Sequence, residues 1–367
     1  MGFWPRVLAA NAVLYMRLLA LFCMLPAILF GGTVYTWTDM GTYGGASTTA
    51  NGLNNKGEVV GGYFVSGGFH AWRYGGGVFT DLGTMGGVIS EANAINDSGQ
   101  ITGRSQIANG NEVAFLYQGG LFTNIGSLGG PSTIGQGINE NGWVTGYADT
   151  ASSGAYQTFL YDGANFVSLG TLGGGGSQGF DVNASGQVTG GSYTTGGQFH
   201  AFLWDGVTMV DLGTMGGTYS FGRAINDAGQ IAGYLIDSSN NFRGFLYTPG
   251  VGMADVGSLG GPFTFARGIN SAGWVTGNST NASFQNRAFV YDGATMRDLN
   301  LLSFVTPLPT VLTVSHGIND VGQIIANGVD GRAFLLTPVG GGEVPEPGTW
   351  ALMAIGLVGI GWRYRVR

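Results

Sequence analysis

The first residues to consider for a functional role lie in a short sequence motif, Asn-x-x-Gly, that recurs seven times. Side-chain oxygens beside a glycine could hold calcium, but a calcium loop needs several oxygen ligands at alternate positions. The two middle residues vary from Asn-Lys through Ala-Ser to Asp-Val, so the loops share no ligand set. We interpret them as hairpin turns and expect neither a metal ion nor a cofactor. The copies are Asn54–Gly57, Asn96–Gly99, Asn139–Gly142, Asn183–Gly186, Asn226–Gly229, Asn270–Gly273 and Asn319–Gly322.

Histidines and aspartates are the next candidates, as general bases, zinc ligands or a carboxylate pair. Of the three histidines, His70 and His200 occupy the same place in different repeats and should lie far apart; His316 stands elsewhere. A repeated aspartate favours a hydrogen-bonding role at strand ends, and it occurs at Asp39, Asp81, Asp211, Asp255 and Asp298. No serine nucleophile elbow or phosphate-binding loop is present. The sequence therefore shows no catalytic constellation, and we expect a protein that is not an enzyme.

Composition narrows the function classes further. The formal net charge is −7 and Lys56 is the only lysine, so the repeats lack the basic stripe of a nucleic-acid-binding protein. The chain contains 71 glycines, yet 44% of its residues are hydrophobic and 12% aromatic, which is too apolar for a disordered chain. These values predict a folded, turn-rich, all-β protein.

The turns belong to a repeat with four strand-like segments. Asn96 and Asn139 are 43 residues apart, and between the turns lie an apolar run and a Gly-Gly link. Asn at the first and Gly at the fourth place suit a type I turn. In the apolar run at 114–117, the side chains on both faces of the predicted strand are apolar, which indicates a strand buried on both sides. Four-stranded sheets packed face to face around an axis form a β-propeller, which is the fold we predict.

The ends of the repeat array predict how the propeller closes. Val34–Met40 resembles a lone fourth strand, and the array finishes with a third strand at Ala333–Thr337. The first segment would complete the last sheet, giving a seven-bladed propeller over residues 34–338. An open solenoid is the alternative, although capping units would then be expected at the ends.

Both termini carry targeting signals. Residues 1–33 contain Arg17 and the apolar run Leu18–Phe30, which predicts a helical signal peptide; an uncut membrane anchor is the alternative. A Gly-rich linker, residues 339–344, leads to Pro345, Glu346 and Pro347, then to a short apolar helix over residues 349–362. That run is short for a bilayer core about 30 Å thick, and Arg363, Arg365 and Arg367 in the tail 363–367 would hold the end in the cytoplasm.

Two family resemblances follow from these residues. Residues 345–367 closely resemble the PEP-CTERM sorting domain of Gram-negative bacteria, in which an exosortase recognises Pro-Glu-Pro and removes the tail. The resemblance implies export across the inner membrane, transient anchoring by the terminal segment, and a place at the cell surface or in an exopolysaccharide (biofilm) matrix. The apolar runs resemble the HAF repeat of extracellular repeat proteins, although only His200-Ala201-Phe202 keeps the full triplet.

The loops opposite the Asn-x-x-Gly turns are the expected ligand face, because binding sites favour variable loops on a rigid scaffold. Aromatic residues there could stack on sugars. They are Tyr147, Tyr156, Tyr193, Tyr219, Phe242, Phe263, Phe265 and Phe284. We expect a non-catalytic binding or structural protein of the envelope whose partners are an exosortase and exopolysaccharide. The alternative is a hydrolase or lyase with a site in the central channel. Small residues in segments such as Gly222-Arg223-Ala224 favour the binding protein.

Overall fold

The computed structural model describes residues 33–42, 45–152 and 154–339. The predicted signal peptide (except Thr33), most of the linker and the sorting segment lie outside the described residues. Within the described part the chain is all-β, with a single 3-10 turn at Leu299–Leu301. No helix of that part has the length and apolarity needed to cross a membrane.

The strands form four-stranded antiparallel units that follow one another along the chain. The first strands are β2 (Thr48–Leu53), β6 (Gly86–Ile95), β10 (Gly129–Ile138), β14 (Gly173–Val182), β18 (Tyr219–Ile225), β22 (Gly260–Ile269) and β27 (Leu312–Ile318). The second strands are β3 (Val59–Val65), β7 (Ile101–Ile107), β11 (Val144–Thr150), β15 (Val188–Thr194), β19 (Ile231–Ile236), β23 (Val275–Asn281) and β28 (Ile324–Gly328).

The outer half of each unit follows the same pattern. The third strands are β4 (Gly68–Gly75), β8 (Glu112–Gln118), β12 (Tyr156–Tyr161), β16 (Phe199–Trp204), β20 (Phe242–Thr248), β24 (Asn286–Tyr291) and β29 (Ala333–Val339). The fourth strands are β5 (Val78–Gly83), β9 (Leu121–Asn124), β13 (Phe166–Gly170), β17 (Met209–Asp211), β21 (Gly252–Asp255) and β25 (Met296–Asp298). The last unit takes its fourth strand from the other end of the chain.

That strand is β1 (Val34–Asp39), which pairs antiparallel with β29 from Val34 opposite Val339 to Asp39 opposite Phe334. The predicted pairing of the two ends is therefore present. The long segment before β27 also packs against β1. Its strand β26 (Ser303–Phe304) pairs parallel with β1, and the Trp37 Nε1–H donates to the Thr306 carbonyl at 3.0 Å.

A fully buried aromatic side chain at one place in every third strand holds neighbouring units together. Each contributes to a different hydrophobic cluster, and one cluster joins Ala333 and Leu335 of the last unit to Val59 of the first. Burying a side chain of this size contributes roughly 1.5–3 kcal/mol. The residues are Trp72, Phe115, Phe159, Phe202, Phe245, Phe289 and Phe334.

The Asn-x-x-Gly phrases form the hairpin turns between first and second strands, as predicted. Gly99 has φ of 76°, which glycine adopts without strain, and its N–H donates to the Asn96 carbonyl at 2.9 Å. Each asparagine side chain also reaches the next unit: the Asn96 Nδ2–H donates to the Asn139 carbonyl at 2.9 Å. The series continues through every copy and returns from Asn319 to the Asn54 carbonyl at 2.9 Å. The first asparagines of the seven turns thus form a closed ring of buried hydrogen bonds, which we call the asparagine circuit.

Candidate functional site: a polar cavity beside an aromatic band

Every first strand carries a β-bulge that turns one side chain into a shared cavity of about 380 Å³. In β6, Ala92 pairs with Gly103 and Ala94 with Thr102, so Asn93 between them has no partner in the ladder. Bulges re-aim side chains in this way and are common beside active sites. The bulged residues are Asn51, Asn93, Gln136, Phe180, Arg223, Arg267 and His316, and all line the cavity.

Large side chains therefore line the cavity at this position, between the small residues noted in the sequence. Small residues do flank the bulge, as Gly222 and Ala224 flank Arg223, but the residue between them is large and polar in most units. A detectable signal was present in the sequence: one variable, large residue at a constant place between two small ones. The alternating pattern of strand residues cannot predict where this side chain points, because the bulge changes the face of the sheet on which it lies.

Positive charge is concentrated on one side of the cavity. The Arg223 guanidinium carbon lies 4.0 Å from the centre of the Phe180 ring, and its Nε is buried without a hydrogen-bond partner. Burial, reinforced by the charge of Arg267, lowers the pKa of Arg223 to about 10. The Arg267 Nε–H donates to Asn278 Oδ1 at 2.9 Å. Burial, together with both arginines, lowers the pKa of His316 to about 3, so this imidazole is neutral at neutral pH.

The two carboxylates that line the cavity are already engaged. Glu91 accepts hydrogen bonds from Arg104 at 3.0 and 3.1 Å and from Asn51 at 3.2 Å. The two oxygens of Asp181 accept the backbone N–H groups of Val182 and Ile225, each at 2.9 Å. Burial raises the pKa of Asp181 to about 7 despite those bonds. Among the described residues, no carboxylate forms a hydrogen bond or ion pair with His316.

A second cavity of about 240 Å³ lies on the side of the hairpin turns and is acidic. Asp97, Glu140, Asp181, Asp227 and Asp320 line it. These carboxylates also accept backbone N–H groups of neighbouring turns: Glu140 accepts the Asp97 N–H at 3.0 Å, and Asp320 the Ser271 N–H at 2.8 Å. Within the described part of the chain, no group of three or more His, Cys, Asp or Glu side chains is placed to hold a metal ion. The acidic side chains thus form hydrogen bonds between neighbouring turns.

The predicted ligand face is largely brought together, but on strands rather than on loops. Seven of its eight residues belong to one connected set of aromatic rings across the third to sixth units, with neighbouring centroids 4.7–6.4 Å apart. We call this set the aromatic band. It comprises Tyr147, Tyr156, Phe180, Tyr193, Phe199, Tyr219, Phe221, Tyr234, Phe242, Phe263 and Phe265.

Phe284 is the exception. It lies at the tip of the turn after β23 and is 70% exposed, with no ring contact to the band. Within the band, Tyr193 and Phe263 are each 37% exposed, whereas Phe221 is buried. Burial raises the pKa of Tyr219, and a hydrogen bond with Tyr234 adds to the shift. Arg223 packs on Phe180, and Arg267 lies 5.8 Å from the centre of the Phe265 ring. The band and the basic side of the cavity are therefore in direct contact.

The repeated histidines and aspartates form cross-strand pairs outside the cavity. His70 Nδ1 lies 3.0 Å from Asp81, and His200 Nδ1 lies 2.8 Å from Asp211. Each aspartate also accepts a backbone N–H two residues ahead, such as Gly83 N–H to Asp81 at 2.8 Å. The same holds for Asp39, Asp211, Asp255 and Asp298. The predicted hydrogen-bonding role at strand ends is thus observed, and the histidines support it.

Solved structures with similar folds are distant in sequence. TolB from Acinetobacter baumannii is 13% identical, covers 83% of this chain and 66% of its own, with a TM-score of 0.41. Virginiamycin B lyase from Staphylococcus aureus, an inactive variant with quinupristin, is 10% identical over 83% and 99% of the two chains, with a TM-score of 0.46. The β-propeller domain of the trilobed protease from Pyrococcus furiosus is 9% identical over 69% and 84%, with a TM-score of 0.48. Comparison with curated proteins gives no match.

The C-terminal segment matches a known sequence motif. Residues 343–366 match the PEP-CTERM protein-sorting motif. The predicted Pro345, Glu346 and Pro347 and the arginines at 363 and 365 fall inside the matched segment. The motif is a signal recognised by an exosortase. The chain is therefore an exported protein that is sorted to the cell envelope through its C-terminal segment.

Proposed function

We propose that the protein is a seven-bladed β-propeller that binds a glycan of the cell envelope or exopolysaccharide matrix without converting it. The observation that carries the proposal is the aromatic band beside the polar cavity. Aromatic rings offer apolar faces to sugar rings, and tyrosine adds a hydroxyl group for hydrogen bonds. A cavity of about 380 Å³ falls within the usual range for small-molecule sites, roughly 300–1,000 Å³.

Two contacts support a closed ring of seven blades, each blade being one HAF-type repeat. The β1–β29 pairing supplies the last blade with its outer strand, and the asparagine circuit returns to Asn54. Deleting Val34–Met40 should therefore lower the free energy of unfolding by several kcal/mol. An unchanged melting temperature after this deletion would contradict the closed ring.

The sorting signal supports a binding site outside the inner membrane, and we propose that the protein is found in the surface or released fraction of a Gram-negative cell. Binding is tested with the full-length protein, purified in mild detergent, and the exopolysaccharide of the producing bacterium in affinity electrophoresis. Tyr219→Ala and Phe263→Ala should each weaken retention by about two- to twelvefold, given ~0.5–1.5 kcal/mol for one aromatic contact. Phe284→Ala is the matched control because that ring is exposed but outside the band. Equal retention of all variants would refute the proposed site.

A hydrolase or lyase acting on extracellular polysaccharide is the second candidate, because Glu91, Asp181 and His316 border one cavity. The geometry favours binding, since the carboxylates are engaged elsewhere, and burial together with the two arginines lowers the pKa of His316. Release of reducing or unsaturated sugar ends from exopolysaccharide by the protein, and its loss in Asp181→Asn or His316→Gln, would favour the enzyme.

A further inference from the structure

We propose that Arg223 and Arg267, with His316 beside them, bind the carboxylate of an acidic sugar that enters the cavity from the side of the aromatic band. The inference deepens the proposed function by naming the ligand class, and it rests on that function. It starts from the three consecutive first strands β18, β22 and β27, whose bulges place these side chains together.

Arg223 and Arg267 differ from the other described arginines in having no carboxylate partner. Six of the eight described arginines form an ion pair with Asp or Glu: Arg73, Arg104, Arg243, Arg287, Arg297 and Arg332. Arg223 and Arg267 form none. Arginine is the side chain best suited to bidentate binding of a carboxylate. Two guanidinium groups without a carboxylate partner in one cavity therefore leave donors available for an anion, although the Arg267 Nε–H is already bonded to Asn278.

Within the described chain, no carboxylate forms an ion pair with Arg223 or Arg267, although Glu91 and Asp181 line the same cavity. Arg223 has a buried Nε without an acceptor, and its guanidinium carbon lies 4.0 and 5.9 Å from the ring centres of Phe180 and Phe221. The pKa values of Arg223 and His316 are both lowered by burial and by neighbouring positive charge. Buried like charges without partners destabilise a fold, so their retention at one site is typical of a binding function.

Shape and charge set the direction of approach. The acidic cavity at the hairpin turns would repel an anion, whereas the aromatic band adjoins the arginines through Phe180 and Phe265. A sugar ring stacked on the band would bring a carboxylate on its ring toward the guanidinium groups. Arg223 and Arg267 lie inside a protein of formal charge −7, so the attraction of an anionic ligand is confined to the cavity.

The test compares an oligosaccharide of uronic acid with the same oligosaccharide after reduction of its carboxyl groups, by calorimetric titration of the full-length protein in mild detergent. The acidic form should bind at least tenfold more tightly. Arg267→Gln should weaken its binding by about ten- to a hundredfold, the usual value of a charged hydrogen bond. Arg243→Gln should leave binding unchanged, because Arg243 pairs with Asp237 outside the cavity.

The outcomes separate the two proposals. Equal binding of both forms, or equal loss in the two variants, would overturn the carboxylate site and leave glycan binding intact. Binding of neither form would overturn the carboxylate site, and it would overturn both proposals if the exopolysaccharide of the producing bacterium is not retained either. The melting temperature of Arg267→Gln checks for misfolding, and it should stay close to that of the unmodified protein, because removal of a buried charge offsets loss of the hydrogen bond to Asn278.

Discussion

The asparagine circuit predicts an unusually large effect of a one-atom change, Asn139→Asp. Asn139 is 5% exposed; its Oδ1 accepts the N–H groups of Asn141 and Trp143 at 3.0 and 2.9 Å, and its Nδ2–H donates to the Asn183 carbonyl at 2.8 Å. Aspartate keeps the two accepting bonds but turns a buried carboxylate oxygen toward that carbonyl. An orphaned buried acceptor costs about 1–3 kcal/mol, and charge burial adds to it, so the unfolding free energy should fall by roughly 2–4 kcal/mol at pH 7.

Urea unfolding followed by tryptophan fluorescence measures the change, and Asn141→Asp is the matched control in the same turn. Asn141 also donates to a neighbouring carbonyl, that of Ala184 at 3.0 Å, but its side chain is exposed and should lose less than about 1 kcal/mol. The loss in Asn139→Asp should shrink in acid, because a protonated carboxyl can again donate to Asn183. A loss below about 0.5 kcal/mol at pH 7, or one equal to the control, would refute the circuit as a stabilising element.

Three further results are expected. Phe202→Ala should lower the unfolding free energy by roughly 3–5 kcal/mol, measured by urea unfolding, whereas Val207→Ala, whose side chain is 79% exposed, should change it little. Because the folded-state pKa of His316 is about 3, the unfolded chain gains a proton near pH 6.5 before the folded chain does; stability should therefore fall by roughly 1–3 kcal/mol between pH 6.5 and 3, and His316→Gln should lack this loss. Replacing Pro345–Pro347 with alanines should leave an uncut, membrane-held protein on fractionation of the producing cells, and unchanged processing would contradict recognition of that motif.

Local sequence signals were enough to predict most of the framework. Asn96 and Gly99 marked a hairpin turn because their types suit fixed turn positions, and the fourth-strand pattern of Val34–Met40 predicted its pairing with the last unit. The aspartates that recur at one place of the repeat predicted hydrogen bonds at strand ends. These features depend on residues close in sequence or on the repeat register.

The functional cavity could not be predicted in the same way. The direction of Arg223 depends on a bulge between Gly222 and Ala224, which the alternating pattern does not encode. The aromatic residues were assigned to variable loops or to the Gly-Gly links between units, yet Tyr219 and Phe265 lie in strands and pack across units. Contacts of this kind arise only when separate repeats are placed side by side, so a single repeat carries no trace of them.

A crystal structure of the protein with a uronic-acid oligosaccharide tests the central claim most directly, namely that the cavity and the aromatic band form a binding site for an envelope glycan. The account predicts a sugar ring stacked on the band near Tyr219 and Phe263, with its carboxylate within hydrogen-bond distance of Arg267. A saccharide bound at the Asn-x-x-Gly turns, or at the outer strands away from the cavity, would contradict it.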